Sequence, residues 1–316
     1  MARKMTTAGR SRKPAAKSAR KPAAKSAPKK QLPKKPSLKK PAQKRRAVAA
    51  SRSGGPTTSK PPEPQTSAPA ATGSPAAGAL PLFYRAPYPV SKERHGNQAI
   101  RRDANYGFAA RANSVPLNAA EFPLAARHYP ILFTGGEPAI GIALLGLRDN
   151  QNLFVGADGA WDAGTYIPAY IRRYPFIFMA GEQDGRYILC LDENTELLAA
   201  EDDGQKLFAD GEPTDITTRA LDFCKAYQQQ SDYTRKLGGL LAQHGLFTAN
   251  RANVTLKSGE SLALGGFRMI DGKALDGLDD TAFLELRRAG ALPLIYAQLF
   301  STANWAALVA RDAARD

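Results

Sequence analysis

The sequence predicts an α+β protein, with a mainly antiparallel sheet in the first half of a globular body, a helical, hairpin-containing second half packed on it, and a disordered N-terminal tail. Three observations carry this. Residues 1–62 hold 20 of the 44 Lys and Arg of the 316-residue chain and none of its 29 Asp and Glu, leaving 24 basic against 29 acidic residues beyond. Every Phe, Tyr and Trp stands at or after Phe83, so only the later part can bury a core. Within that part, apolar runs broken by Gly and Pro turns come first, and apolar residues at helical spacing come second.

The octapeptide RKPAAKSA occurs twice, at Arg12–Ala19 and Arg20–Ala27, and decays into Lys/Pro/Ala text as far as Arg46. Pro14, Pro22, Pro28, Pro33, Pro36 and Pro41 interrupt any helix, and like charges repel. An extended, partly polyproline-II arm is therefore expected over 1–53, with a disordered Pro/Ala/Ser linker over 54–80. Its cations, Arg12, Lys13, Lys17, Arg20, Lys21, Lys25, Lys29, Lys30, Lys34, Lys35, Lys39, Lys40, Lys44, Arg45 and Arg46, can neutralise phosphates and release counterions. The expected partner is nucleic acid or another polyanion, bound nonspecifically with an affinity that falls steeply with salt. Without aromatic residues the arm offers no stacking platform for single strands. A solubilising extension, or contact with acidic lipid headgroups, fits the same composition. In composition the arm is similar to linker-histone-like tails appended to some bacterial proteins. No apolar run of signal-peptide type follows the charges, so a cytoplasmic place with nucleoid association is expected, and the cell surface by a dedicated exporter is the alternative.

The body spans 81–316. Asn118 stands three residues before Glu121, a capping-box spacing that predicts a short helix to about His128, kinked or started late by Pro123. ILFTGGEPAIGIALLGL reads as two buried strands about a Gly-Gly-Glu-Pro turn, NLFVGADGAW as a further short strand and turn, and PFIFMAGEQDGRYILCLD as another strand pair. From Thr214, Ile216, Ala220, Phe223, Tyr227, Leu237, Leu241 and His244 keep near one helical stripe, with Gly238-Gly239 as an expected bend or break. VTLKSGESLAL signals a hairpin about Ser258-Gly259. Asp279-Asp280 opens a helix that Arg287, Arg288 and Gly290 close. Ala289 to Ala310 carries no charge over 22 residues, but Gln298, Ser301, Thr302 and Asn304 in its middle favour a buried helix over a membrane span. No transmembrane segment is expected.

No dinucleotide or P-loop glycine pattern, HExxH, GxSxG, CxxC or EF-hand loop is present, which points away from an enzyme and implies no cofactor or metal. Asp158 and Asp162 resemble only a fragment of a calcium loop. His128 between Arg127 and Tyr129 reads as a helix-end histidine, His244 as a helix finisher, and His95 as part of polar text. Cys190 and Cys224 read as small core residues. YIPAYIRRYPFIF sets Arg172 and Arg173 among aromatics, a pairing that suits either internal salt bridges or a carboxylate or phosphate ligand. The candidate ligand-binding set is Arg127, Trp161, Arg172 and Arg173.

VPLNAAEFPLAARHYPILF, ALLGLRDNQNLFV, YIPAYIRRYPFIF, LDFCKAYQQQ and GALPLIYAQLFSTANWAAL, in this order, resemble the blocks of the bacterial SapC family over about residues 83–312, with the basic arm outside the family pattern. The resemblance implies a non-enzymatic accessory or surface-layer-related protein, with a protein partner, and brings no catalytic residues. Members also occur beside genes for tryptophan-halogenase-like flavoenzymes, which implies the alternative of an enzyme or small-ligand-binding partner acting with such a system.

Overall fold

The computed structural model describes residues 80–102, 105–181, 186–200, 203–255 and 261–315, so the expected arm and all but the last residue of the expected linker lie outside the described residues. The first half carries strands β1 (Pro87–Pro89), β2 (Gln98–Ile100), β3 (Ser114–Pro116), β4 (Ile131–Thr134), β5 (Gly141–Leu144), β6 (Phe176–Ala180) and β7 (Tyr187–Asp192). Four short strands follow: β8 (Leu198–Ala200), β9 (Gln205–Lys206), β10 (Phe208–Ala209) and β11 (Glu212–Pro213). Its helices are single turns, α1 (Lys92–His95), α2 (Phe122–Ala125) and α3 (Ala169–Arg172). The second half opens with the 29-residue α4 (Asp215–Gln243), continues through the hairpin β12 (Phe247–Thr255) and β13 (Ser261–Ile270), and closes on α5 (Gly272–Asp276), α6 (Asp280–Arg288), α7 (Leu292–Ser301) and α8 (Asn304–Asp312). The expected α+β division holds, and every described strand pair is antiparallel.

The largest sheet has five strands in the order β12-β13-β4-β5-β3, so the late hairpin completes a sheet begun in the first half. β13 pairs with β4 only at Phe267–Thr134 and Arg268–Phe133 and then diverges. Polar side chains of α7 fill the gap. The Gln298 amide donates to the Ile131 carbonyl and accepts from the Ile270 N–H, each at 3.1 Å, while the Ser301 hydroxyl accepts from the Ile131 N–H at 2.9 Å. Both side chains are fully buried, so the polar residues that argued against a membrane span act as a plug in an unzipped sheet. The uncharged run is two helices bent by 45°, where one was expected, and no single helix among the described residues is long and apolar enough to cross a membrane. Asn304, just past the bend, donates to the carbonyls of Ala126 and Tyr129 and closes the end of α2.

Other expectations need correction. NLFVGADGAW forms no strand, only a bridge between Val155 and Trp161, because the side chains of Asn152 and Asp158 accept from the nearby Phe154 and Ala160 N–H groups. Gly238-Gly239 does not break α4. A Cβ on Gly238 would run into the Ala139 carbonyl, so this glycine lets the helix lie against the β4–β5 turn, whereas Gly239 faces open space. His95 is fully buried, with Nδ1 facing the Ser91 N–H and Nε2 3.3 Å from Glu193. Where the sequence was read correctly the caps are in place. The Asp279 carboxylate accepts from the Ala282 N–H at 2.8 Å, Gly290 takes φ 74°, and a 3-10 turn over Ala119–Glu121 leads into α2, which starts at Phe122 with Pro123 in its first turn. The hairpin strands run well beyond the predicted Val254 to Leu264, and the turn about Ser258-Gly259 lies outside the described residues.

The main core joins the five-stranded sheet to α4, α7 and α8 through Phe122, Tyr129, Phe133, Leu237 and Ile295. A second cluster, Ile100, Phe176, Leu191, Leu207, Phe208 and Cys224, sits between β2, β6, β7 and the start of α4.

Candidate functional site

Along the seam between these two clusters lies a cleft of about 360 Å3. Three segments and Leu197, just before β8, line it: the end of β2 and the following chain, α3 with its exit, and one face of α4.

α3 is positioned by Glu121. Its buried carboxylate accepts from the Asn118 N–H at 2.9 Å, as the capping-box spacing predicts, and also from the Ala169 N–H at 2.6 Å and the Tyr166 hydroxyl at 3.0 Å. One side chain therefore caps two helical starts, its own and that of α3, whose Ala169 lies 48 residues further along the chain. Burial, only partly offset by these donors and Arg172, raises its pKa above the ordinary carboxylate value.

α3 delivers Arg172 and Arg173 in opposite manners. The Arg172 Nε donates to the Ile167 carbonyl at 3.0 Å and Nη2 to the Tyr166 hydroxyl at 3.2 Å, and the guanidinium lies over Tyr166 and Phe223, with 5.6 and 5.4 Å to the ring centroids. Burial pushes the Tyr166 hydroxyl up to about 12, so it stays a neutral phenol here. The Arg173 guanidinium is stacked among tyrosines, 4.4 Å from the ring centroids of Tyr170 and Tyr227 and 5.6 Å from that of Tyr84. Its Nε is buried and has no hydrogen-bond partner among the described residues. Among the described residues the pair makes no internal salt bridge, the first of the two alternatives its sequence suits, and both guanidinium groups pack on aromatic rings. Burial raises the Tyr84, Tyr170 and Tyr227 pKa values, so these phenols supply ring faces without charge.

Three more arginines complete the lining: Arg101, whose Nε is held by the Glu196 carbonyl at 3.0 Å, Arg102, and Arg219 on α4. Among the described residues, none of the five arginines of the cleft has an ion pair with an Asp or Glu, and no acidic side chain lines it. The remaining wall is apolar and aromatic, with Tyr106, Phe108, Tyr174, Phe176 and Phe223. Phe108 and Tyr174 stand 4.2 Å apart between ring centroids. Among the described residues the lining has no histidine, carboxylate, cysteine or serine, and its arginines and aromatic rings are groups suited to holding an anion.

The predicted residues are thus divided. Arg172 and Arg173 meet in the cleft. Arg127 is exposed beyond α2 and is not among the lining residues, and Trp161 is a core residue that donates to Thr165 at 2.9 Å and stacks on Phe154. Sequence reasoning missed Arg101, Arg102 and Arg219. The first two were legible as a second Arg-Arg doublet, and Arg219 lies within one turn of Ile216 and Phe223 on the α4 stripe. His128 has its pKa lowered by burial and by Arg127 and Arg311, unlike a base paired with a carboxylate. Cys224 is pushed up to about 11 by burial, as suits a core thiol. Asp158 caps the Ala160 N–H and Asp162 pairs with Arg311 at 2.6 Å, and no group of metal-ligating residues occurs among the described residues.

Compared with known sequences, the chain matches the SapC family model over residues 90–308, a stretch that holds the entire cleft and excludes the basic arm. No curated protein and no solved structure matches the chain.

Proposed function

The chain belongs to the SapC family, and from that premise we propose that it is a non-enzymatic accessory protein whose body holds a small organic anion in the arginine cleft while its arm adheres to polyanions. One observation carries the reading for the body: five arginines line one aromatic-walled cleft, and no carboxylate among the described residues lines it to balance them. Gathering like charges is unfavourable in the empty protein and favourable once an anion enters, so the energy is recovered only by binding. The aromatic walls suit a ligand with a planar apolar part, such as an aromatic acid passed to or from a flavin-dependent, tryptophan-halogenase-like partner.

Calorimetric titration of the full chain with indole-3-acetate, benzoate and pyrophosphate in low salt tests the body. At least one of these anions should bind with unit stoichiometry, and Arg219→Gln, at an exposed rim position, should weaken it several-fold without altering thermal stability. Absence of binding by all three at millimolar concentration refutes the reading. For the arm, replacing eight of its Lys by Gln should reduce the slope of log K against log salt for duplex DNA by several units, since each neutralised phosphate contributes about 0.9. An unchanged slope refutes that part.

A further inference from the structure

The cleft's construction narrows the class of anion, an inference that rests on the anion-binding reading above. A monocarboxylate is met fully by one or two guanidinium groups. Here the lining arginines stand on three separate walls, Arg101 and Arg102 after β2, Arg172 and Arg173 at the end of α3, and Arg219 on α4. A singly charged ligand would leave most of them unbalanced. Two of the five are also anchored by the same atom. Nε of Arg101 is held by the Glu196 carbonyl and Nε of Arg172 by the Ile167 carbonyl, each at 3.0 Å. Tethering through Nε leaves Nη groups for a ligand, both on Arg101 and Nη1 on Arg172, whose Nη2 already donates to Tyr166, with part of the rotamer entropy already lost. Such forks favour the multiple oxygens of a phosphate over a point contact.

Beside them stand the ring faces of Phe223, Tyr106 and the Phe108–Tyr174 pair, surfaces on which a planar heterocycle can stack. Polar groups able to read a ring edge are scarce. Asn105 is the one side-chain amide in the lining, and its Oδ1 already accepts from the Gly107 N–H at 2.7 Å.

We infer that the cleft binds a multiply charged phosphate ester carrying an aromatic heterocycle, a nucleoside diphosphate in class, with the phosphates across the arginine walls, the ring on the aromatic side and little discrimination between bases.

The test is calorimetric titration of the full chain with ADP, CDP, pyrophosphate and indole-3-acetate, on the native protein and on Arg102→Gln, Arg219→Gln and Phe223→Leu. ADP and CDP should bind within about three-fold of each other and at least ten-fold more tightly than indole-3-acetate, with pyrophosphate between. Each Arg variant should lose three- to ten-fold for ADP and pyrophosphate alike, and Phe223→Leu should lose affinity for ADP but not for pyrophosphate. The arm, which also attracts phosphates, is the same in every variant and cancels from these ratios. Indole-3-acetate binding as tightly as ADP would overturn the inference and leave the anion-binding reading standing. ADP affinity indifferent to all three cleft substitutions would place the binding outside the cleft and overturn the inference. Failure of every probe to bind would overturn both.

Discussion

Substituting Gln298 by Met tests whether one amide seals the opening between β4 and β13. Gln298 is fully buried and bridges the Ile131 carbonyl to the Ile270 N–H at 3.1 Å each. Methionine has a similar length and no hydrogen-bonding group of comparable strength, so both backbone groups lose their partner where water does not reach. Each unsatisfied group costs about 1–3 kcal/mol, and the easier burial of an apolar side chain recovers part of that. The expected net loss is about 3 kcal/mol, a fall of roughly 6–12 °C in Tm for a body of this size. Urea denaturation should show a lower midpoint at an unchanged m-value. Gln229→Met, at an exposed position of α4, serves as control and should stay within about 0.5 kcal/mol of the native protein. Gln298→Glu should be rescued in part on acidification, because only the protonated carboxyl can donate to Ile131. A loss under about 1 kcal/mol in Gln298→Met would refute the plug.

Further expectations concern α4 and the helical starts that place the cleft. Adjacent glycines should respond with opposite sign: Gly239→Ala, in open space, should stabilise by about 0.5–1 kcal/mol through helix propensity, while Gly238→Ala, against the Ala139 carbonyl, should destabilise despite the same gain, as thermal unfolding of both variants would show. Because burial raises the Glu121 pKa, the folded chain keeps a proton that the unfolded chain releases above about 4.5, so this group's contribution to stability falls as pH rises from 4.5 through the raised value and is constant beyond. Glu121→Gln removes that titration, so the stability advantage of the native protein over the variant should shrink with rising pH across this window. An advantage that grows with pH would contradict the assignment. The same variant leaves one amide oxygen for the donors of Asn118, Ala169 and Tyr166, and should cost roughly 1–3 kcal/mol at acidic pH, measured by urea denaturation.

Local signals were read well where neighbours in sequence decide the outcome. The Asn118–Glu121 spacing, the Asp279 cap, Gly290 and the strand pair either side of Gly135-Gly136 all depend on backbone groups a few residues away. The errors share one cause. Gly238 was read as a breaker because sequence shows its propensity and not the Ala139 carbonyl that needs the space. Glu121 was read as a cap for one helix, and its second role at Ala169 appears only when α3 folds onto it. Trp161 was read as a candidate ligand residue because a large aromatic ring reads alike in a core and in a cleft, and the fold buries it.

From composition and periodicity alone came the segregation of charge into one end, the α+β order of the body and the helical character of the last apolar run, because each depends on side-chain type and short-range spacing. The cleft was decided by tertiary structure. Arg101, Arg172 and Arg219 lie 71 and 47 positions apart, and only strand pairing and the seating of α4 between two clusters bring them to one opening. Whether an arginine ends beside a carboxylate or beside four more arginines is settled by which surfaces close on each other, a choice that no window of neighbouring residues contains.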